Sequence, residues 1–126
     1  MKIHNVTGAP EAIGPYSHAI QSGNLVFCSG QTPVDPKTMK LVGSTIEEQT
    51  HQALKNLSIV LGGFGLSLQN IVKTTVFLKD MQDFAGMNSV YAEMFAGHRP
   101  ARSTIAIRQN PLDALVEIEC IAELFE

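Results

Sequence analysis

Leu115-Val116-Glu117-Ile118-Glu119-Cys120-Ile121-Ala122-Glu123-Leu124 alternates with a period of two, the signature of a β-strand whose side chains switch face at every residue. Val116, Ile118, Cys120, Ala122 and Leu124 are all apolar and belong against a core. The other set, Glu117, Glu119, Ile121, Glu123 and Phe125, mixes carboxylates with large apolar groups. A face of that kind suits neither open water nor a dry interior.

The same test applies to the segments upstream. Over residues 101–108 it assigns Ala101, Ser103, Ile105 and Ile107 to the core, against Arg102, Thr104 and Arg108. Over residues 71–79, rich in Val, Thr and Phe, it puts Val72, Thr74, Val76 and Leu78 inside and leaves Ile71, Lys73, Thr75, Phe77 and Lys79. The second face thus carries Ile, Phe and Thr among charges, the composition of a wet interface between subunits, and a homo-oligomer is expected. A hairpin turning through residues 109–114 would set Arg102 opposite Ile121, about 13 Å of strand from Glu117. Two long side chains with a small anion between them span that gap more readily than a direct salt bridge closes it.

The rest of the chain supplies the layers. Residues 3–6 read as a short strand, and residues 16–21 and 25–30 as a hairpin turning at Ser22-Gly23-Asn24. Ser44 with Glu47 fits a capping box ahead of Ile46, Ala53, Leu54, Leu57, Leu61 and Phe64, which recur at helical spacing until Gly62, Gly63 and Gly65 stop the helix. Asp83 is placed to cap a second helix with Phe84, Met87, Val90, Tyr91, Met94 and Phe95 on its apolar face and Gly97 at its end. The order β-ββ-α-β-α-ββ predicts an α+β fold, a mixed six-stranded sheet with both helices packed on one face.

Composition narrows the function classes. The length of 126 residues suits one domain spanning residues 1–126, and 44% hydrophobic residues argue against disorder. No apolar run approaches the roughly 20 residues of a membrane span, and the first residues lack an export signal, so a cytoplasmic protein without a membrane partner is expected. A net charge of −3, with nine scattered Lys and Arg residues, gives no basic stripe for nucleic acid. Cys28 and Cys120 lie in apolar segments without CxxC spacing and read as small buried hydrophobes, and the four histidines are dispersed, so no metal site is expected.

Several runs resemble the RidA/YjgF family, and the resemblance covers nearly the whole chain. They are Ala9-Pro10-Glu11-Ala12-Ile13-Gly14-Pro15-Tyr16-Ser17, Ser29-Gly30-Gln31-Thr32-Pro33, Val72-Lys73-Thr74-Thr75-Val76-Phe77-Leu78, Met87-Asn88-Ser89-Val90-Tyr91, Arg99-Pro100-Ala101-Arg102-Ser103 and Val116-Glu117-Ile118-Glu119. The resemblance implies a chorismate-mutase-like fold and a homotrimer whose sheets wrap a central barrel, with sites in the clefts between subunits. It also implies cofactor-free hydrolysis of 2-imino acids and their enamine tautomers, released by enzymes that dehydrate serine or threonine, to 2-oxo acids and ammonia. Alternatives are a non-enzymatic trimer that binds small carboxylates or a regulatory partner, and an endoribonuclease.

By the same resemblance Arg102 is the carboxylate-binding arginine, and a planar guanidinium offers the two-pronged hydrogen bond that a carboxylate accepts. Its bland alternative is a structural ion pair. Glu117 matches the water-positioning glutamate, able to take the proton that attacking water loses. Glu119 shares its face, and spacing alone does not choose between them. Tyr16, Ser29, Gly30, Asn88 and the backbone of Thr104 match positions that line the family's cleft. Four residues depart from the common pattern: His18, Met39, Phe64 and Asn110.

Overall fold

The computed structural model describes residues 1–124, so Phe125, expected on the mixed face, lies outside the described residues. Its strands are β1 (Lys2–His4), β2 (Ala19–Ser22), β3 (Leu25–Gln31), β4 (Ile71–Leu78), β5 (Ala101–Ala106) and β6 (Val116–Glu123); its helices are α1 (Ile46–Gly62) and α2 (Phe84–Phe95). They form one mixed sheet in the order β1-β2-β3-β6-β4-β5, antiparallel except for the β4–β5 pair. The expected α+β class and six strands are therefore present. Among the described residues no helix is long and apolar enough to cross a membrane.

The core forms where α1 lies over β3 and β6 with α2 alongside it. Leu54, Leu57 and Leu61 of α1 are fully buried against Val26, Val76 and Ile118. Each contributes about 1.5–3 kcal/mol by leaving water. At Gly86 a Cβ would stand 2.6 Å from Ile46 Cγ2, so only hydrogen lets α2 come this close to α1. The capping box sits one residue later than expected: Thr45 accepts from the Glu48 N–H, and the Glu48 carboxylate accepts from the N–H groups of Ser44 and Thr45. Thr45 is the residue with extended backbone next to the first turn, which is what a cap requires.

Three expectations about the strands are corrected. First, β5 makes no hairpin with β6. Parallel neighbours need a long crossover, and α2 supplies it, returning the chain to the sheet edge beside β4 while the 109–114 loop carries β6 back between β3 and β4. Second, Arg102 pairs in register with Thr74, whose side chain is buried under α2, so Arg102 and Thr104 take the helix side. Ile105, expected inside, is 47% exposed on the opposite side, because an edge strand's apolar residues need not lie over the core. Third, β4 carries a bulge: Ile71 pairs with Ala122 and Lys73 with Ile121, and the extra residue buries Ile71 and exposes Val72, the reverse of strict alternation. Strand β1 also begins at Lys2 rather than Ile3, and β2 at Ala19 rather than Tyr16.

The face away from the helices is as mixed as the sequence indicates. Ile3, Phe27 and Ile105 are exposed there, with Phe77 and Ile121 half-buried beside Lys73, Thr75, Glu117 and Glu119.

Candidate active site

Glu117 opens onto a cavity of about 710 Å³ together with Tyr16, Ser29, Gly30, Thr32 and Glu119. Its position follows from the middle strand, where register with Phe77 turns the carboxylate away from the helices. Thr32 donates its hydroxyl to Glu117 Oε2 at 3.1 Å. Burial raises the Glu117 pKa above the ordinary 4.5, aided by the neighbouring Glu119 charge and opposed by the Thr32 hydrogen bond. Glu119 is exposed at the same cavity. Glu117 is thus the carboxylate whose surroundings set it apart.

The wall opposite Glu117 is backbone by necessity. A Cβ on Gly30 would stand 2.8 Å from Glu117 Oε1, so the carboxylate rests against the bare glycine. Ser29 spends its only hydroxyl proton on the Ser17 carbonyl at 2.6 Å, leaving its lone pairs to accept from a ligand N–H. Tyr16 is 49% exposed on the loop that leads into β2. Helix α1 fixes the floor from behind: Asn56 donates to the carbonyls of Thr32 and Val34, Gln52 donates to Asn56 and Val34, and Gln49 accepts from the Leu115 N–H. Periodicity marks this helix as amphipathic but cannot show that its amides hold the segment bearing Thr32.

Arg102 stands at a second cavity, of about 570 Å³, with Asn88, Tyr91, His98 and Arg99. Its guanidinium lies 4.8 Å from the Tyr91 ring centre and 5.6 Å from that of Phe84, within cation–π reach of both. Nη1 donates to Asn88 Oδ1 at 2.7 Å. Tyr91 is anchored in turn by a 2.7 Å hydrogen bond between its hydroxyl and Thr74, and burial raises its pKa. The ion pair among the described residues is Lys79–Asp113, so the guanidinium keeps its charge uncompensated and most of its N–H groups unspent. The Thr104 hydroxyl is buried without a partner. Periodicity places Phe84 and Tyr91 on the apolar face of α2; that they flank a cation is visible only once α2 is laid over β5.

Arg102 and Glu117 do not converge within one chain. They belong to opposite faces of the sheet, and their two cavities share no residue. Tyr16, Ser29 and Gly30 go with Glu117, and Asn88 goes with Arg102. The expected 13 Å span rested on a β5–β6 hairpin that the topology lacks. Among the described residues no group of three His, Cys, Asp or Glu side chains is arranged to hold a metal. Of the unusual residues, His18 is buried with Nδ1 accepting from the Val6 N–H and Nε2 facing the Pro10 carbonyl, and Phe64 lies on the His4 ring. Asn110 is buried and donates to the Phe77 and Ala114 carbonyls. It thereby holds the loop whose Pro111 and Leu112 border the Glu117 cavity.

The profile of the family described as Endoribonuclease L-PSP matches residues 6–124. A RutC family protein of Pyrococcus horikoshii is 51% identical over 90% of both chains. The mouse 2-iminobutanoate/2-iminopropanoate deaminase is 44% identical over 96% of this chain and 90% of its own length. A Thermotoga maritima crystal structure, described as a candidate endoribonuclease, superimposes with a TM-score of 0.93 at 48% identity over the full length of both chains. With the sequence motifs, the fold and the match over residues 6–124 in agreement, the chain belongs to the Endoribonuclease L-PSP family, the RidA/YjgF family that its motifs resemble.

Proposed function

We propose that this protein is an imine deaminase, hydrolysing 2-imino acids and their enamine tautomers to 2-oxo acids and ammonia. It works as a homotrimer in which the Glu117 cavity of one copy closes against the Arg102 cavity of the next. The observation that carries the reading is the separation of the two charges. One chain holds a guanidinium with unspent donors on one face and a half-buried carboxylate on the other, so only a second copy can bring them to one small molecule. The apolar groups left uncovered beside Glu117 give such a copy a surface to bury. Relatives named as deaminases support the reaction.

The chemistry needs little more. Arg102 grips the α-carboxylate through paired N–H donors, with Asn88 fixing the plane of its guanidinium. An enamine first takes a proton on its terminal carbon to become the iminium. Water adds to the iminium carbon, its proton passing to the Glu117 carboxylate as the C=N π pair moves to nitrogen. Glu117 returns that proton to nitrogen. Glu117, again a carboxylate, then takes the hydroxyl proton of the carbinolamine as ammonia leaves, giving the 2-oxo acid; one water is consumed, one ammonia is released, and this proton, passed on to solvent, offsets the one that the enamine took up. A raised pKa makes Glu117 a stronger base than an ordinary carboxylate, and Ser29 can accept a hydrogen bond from the departing nitrogen. Tyr16 and Gly30 complete the lining, and the Thr104 backbone, which borders neither cavity within one chain, meets the substrate only in the assembly.

The test is complementation. Arg102→Ala and Glu117→Gln are each expected to lose activity toward 2-aminoacrylate generated in a coupled assay. Refolding them together at equal concentration should restore roughly a quarter of the sites if each site draws one charge from each of two copies. No recovery would remove the shared site; no acceleration by the unmodified protein would remove the reaction. The same preparation should leave RNA intact, because Glu117 and Glu119 face the cavity with negative charge and repel phosphates.

A further inference from the structure

A residue that precedes proline is kept out of the helical region, so Pro33 limits the conformations open to Thr32. The Thr32 carbonyl is then gripped from two sides: it accepts from the Val34 N–H at 2.8 Å and from Asn56 Nδ2 at 3.1 Å. Asn56 is fully buried and is itself fixed by Gln52, which donates to its Oδ1 at 2.9 Å. Side chains alternate along this stretch. Gln31 is buried in register with Ile118, so Thr32 projects from the other side, where Glu117 stands. A β-branched side chain is stiff at its first torsion, and a pinned backbone therefore also aims the hydroxyl.

The hydroxyl meets Glu117 at one oxygen only. Thr32 donates to Oε2 at 3.1 Å, whereas Oε1 lies 2.8 Å from where a Gly30 Cβ would stand and accepts from no donor among the described residues. The two oxygens are therefore unequal. Oε2 already holds a hydrogen bond, while Oε1 faces bare backbone and is an acceptor still unspent. The arrangement lies within one chain and needs no neighbouring copy to form.

Resting on the deaminase reading, we infer that Thr32 is a positioning residue: its hydroxyl occupies one oxygen of Glu117 and leaves the other, against Gly30, to carry the protons of the reaction. Oε1 takes the proton from attacking water, returns it to nitrogen and takes the last one from the carbinolamine hydroxyl, without the carboxylate turning over between steps. The same bond stabilises the charged carboxylate, so its loss makes Glu117 harder to ionise. Other groups bear on that charge. They are Glu119 on the same strand, Glu11 and Tyr16 from the loop ahead of β2, and Arg102 of a neighbouring copy in the proposed assembly. From β4 the facing residues are Phe77 and Thr75; Lys73 donates to Thr75 and Ser103, and Lys79 is paired with Asp113. Thr32→Val leaves all of these in place, so the comparison isolates the hydroxyl.

The acid limb of kcat/KM toward 2-aminoacrylate reads the charge on Glu117. Thr32→Val should move that limb upward by about half a pH unit or more and lower the plateau kcat about tenfold; Thr32→Ser, which restores the hydroxyl, should match the unmodified protein to within about twofold. An unmoved limb in Thr32→Val overturns the inference even if the rate falls, because lost packing slows a reaction without changing when a carboxylate ionises. A limb moved equally by serine and valine overturns it too. Carboxyl-carbon NMR of protein labelled at glutamate follows the same ionisation without turnover, the Glu117 signal being the one absent from Glu117→Gln. Should no imine hydrolysis be seen, the deaminase reading falls by itself. A Glu117 titration midpoint higher in Thr32→Val than in Thr32→Ser then still supports the hold of Thr32 on the carboxylate, and equal midpoints remove it.

Discussion

The Arg102 and Glu117 regions are built on different physical plans. Arg102 is seated among side chains: two aromatic rings, an Asn88 amide, and behind them the Tyr91–Thr74 hydrogen bond. Glu117 is seated on backbone, pressed against Gly30 with a single hydroxyl on its carboxylate. The first arrangement fixes the direction of a planar, forked cation. The second leaves the position simple and adjusts proton affinity instead, through burial and the nearby Glu119. In the proposed mechanism the group that orients an anion gains from rigidity, whereas the one that exchanges a proton gains from a shifted pKa.

The contrast can be broken first on the Glu117 side. Gly30→Ala puts a methyl group where the carboxylate now rests, and if Glu117 has the proposed role, displacing it by about 1 Å costs up to about a hundredfold in rate. Single-turnover kinetics should show the loss in kcat, with KM little changed. If kcat survives, Glu117 does not need its present position. On the other side, Arg102→Lys keeps the charge and discards the fork. Loss of a charge-assisted hydrogen bond of about 1.5–3 kcal/mol corresponds to roughly 10- to 150-fold in kcat/KM, expected here mainly as a higher KM.

Tyr91→Phe separates seat from charge. The ring under Arg102 remains, but the buried Thr74 hydroxyl loses its partner, which should cost about 1–3 kcal/mol in urea unfolding. An unfolding midpoint equal to that of the unmodified protein would mean that water replaces the bond without loss.

The smallest effect sharpens the Glu117 side by pH. Because its pKa is raised, the acid limb of kcat/KM should fall above the ordinary glutamate value of 4.5, and an acid limb at or below it would contradict the role given to burial. Stability follows the same sign. A carboxylate whose pKa is higher folded than unfolded favours the fold when protonated, an advantage present below the unfolded pKa and lost as pH rises through the folded one. Glu117→Gln, which still accepts from Thr32, should therefore melt slightly higher than the unmodified protein at neutral pH, and the gap should close on acidification.

Sequence alone determined a good deal. The strict alternation over residues 116–124 fixed β6 and its mixed second face, the spacing of Leu54, Leu57 and Leu61 fixed α1, and the named motifs picked out Arg102 and Glu117. These are local properties, written in side-chain period and residue type. What the tertiary structure decided is non-local. Alternation says that Arg102 and Ile105 point to opposite sides, but not which side the helices cover, and β5 at an uncovered edge reversed the assignment that apolarity suggested. A bulge at Val72 did the same within β4, and the α2 crossover put β5 beside β4 instead of β6. Strand neighbours are chosen by long-range packing and loop reach, which no window of sequence contains, and so only the assembled sheet could show the two charges standing back to back.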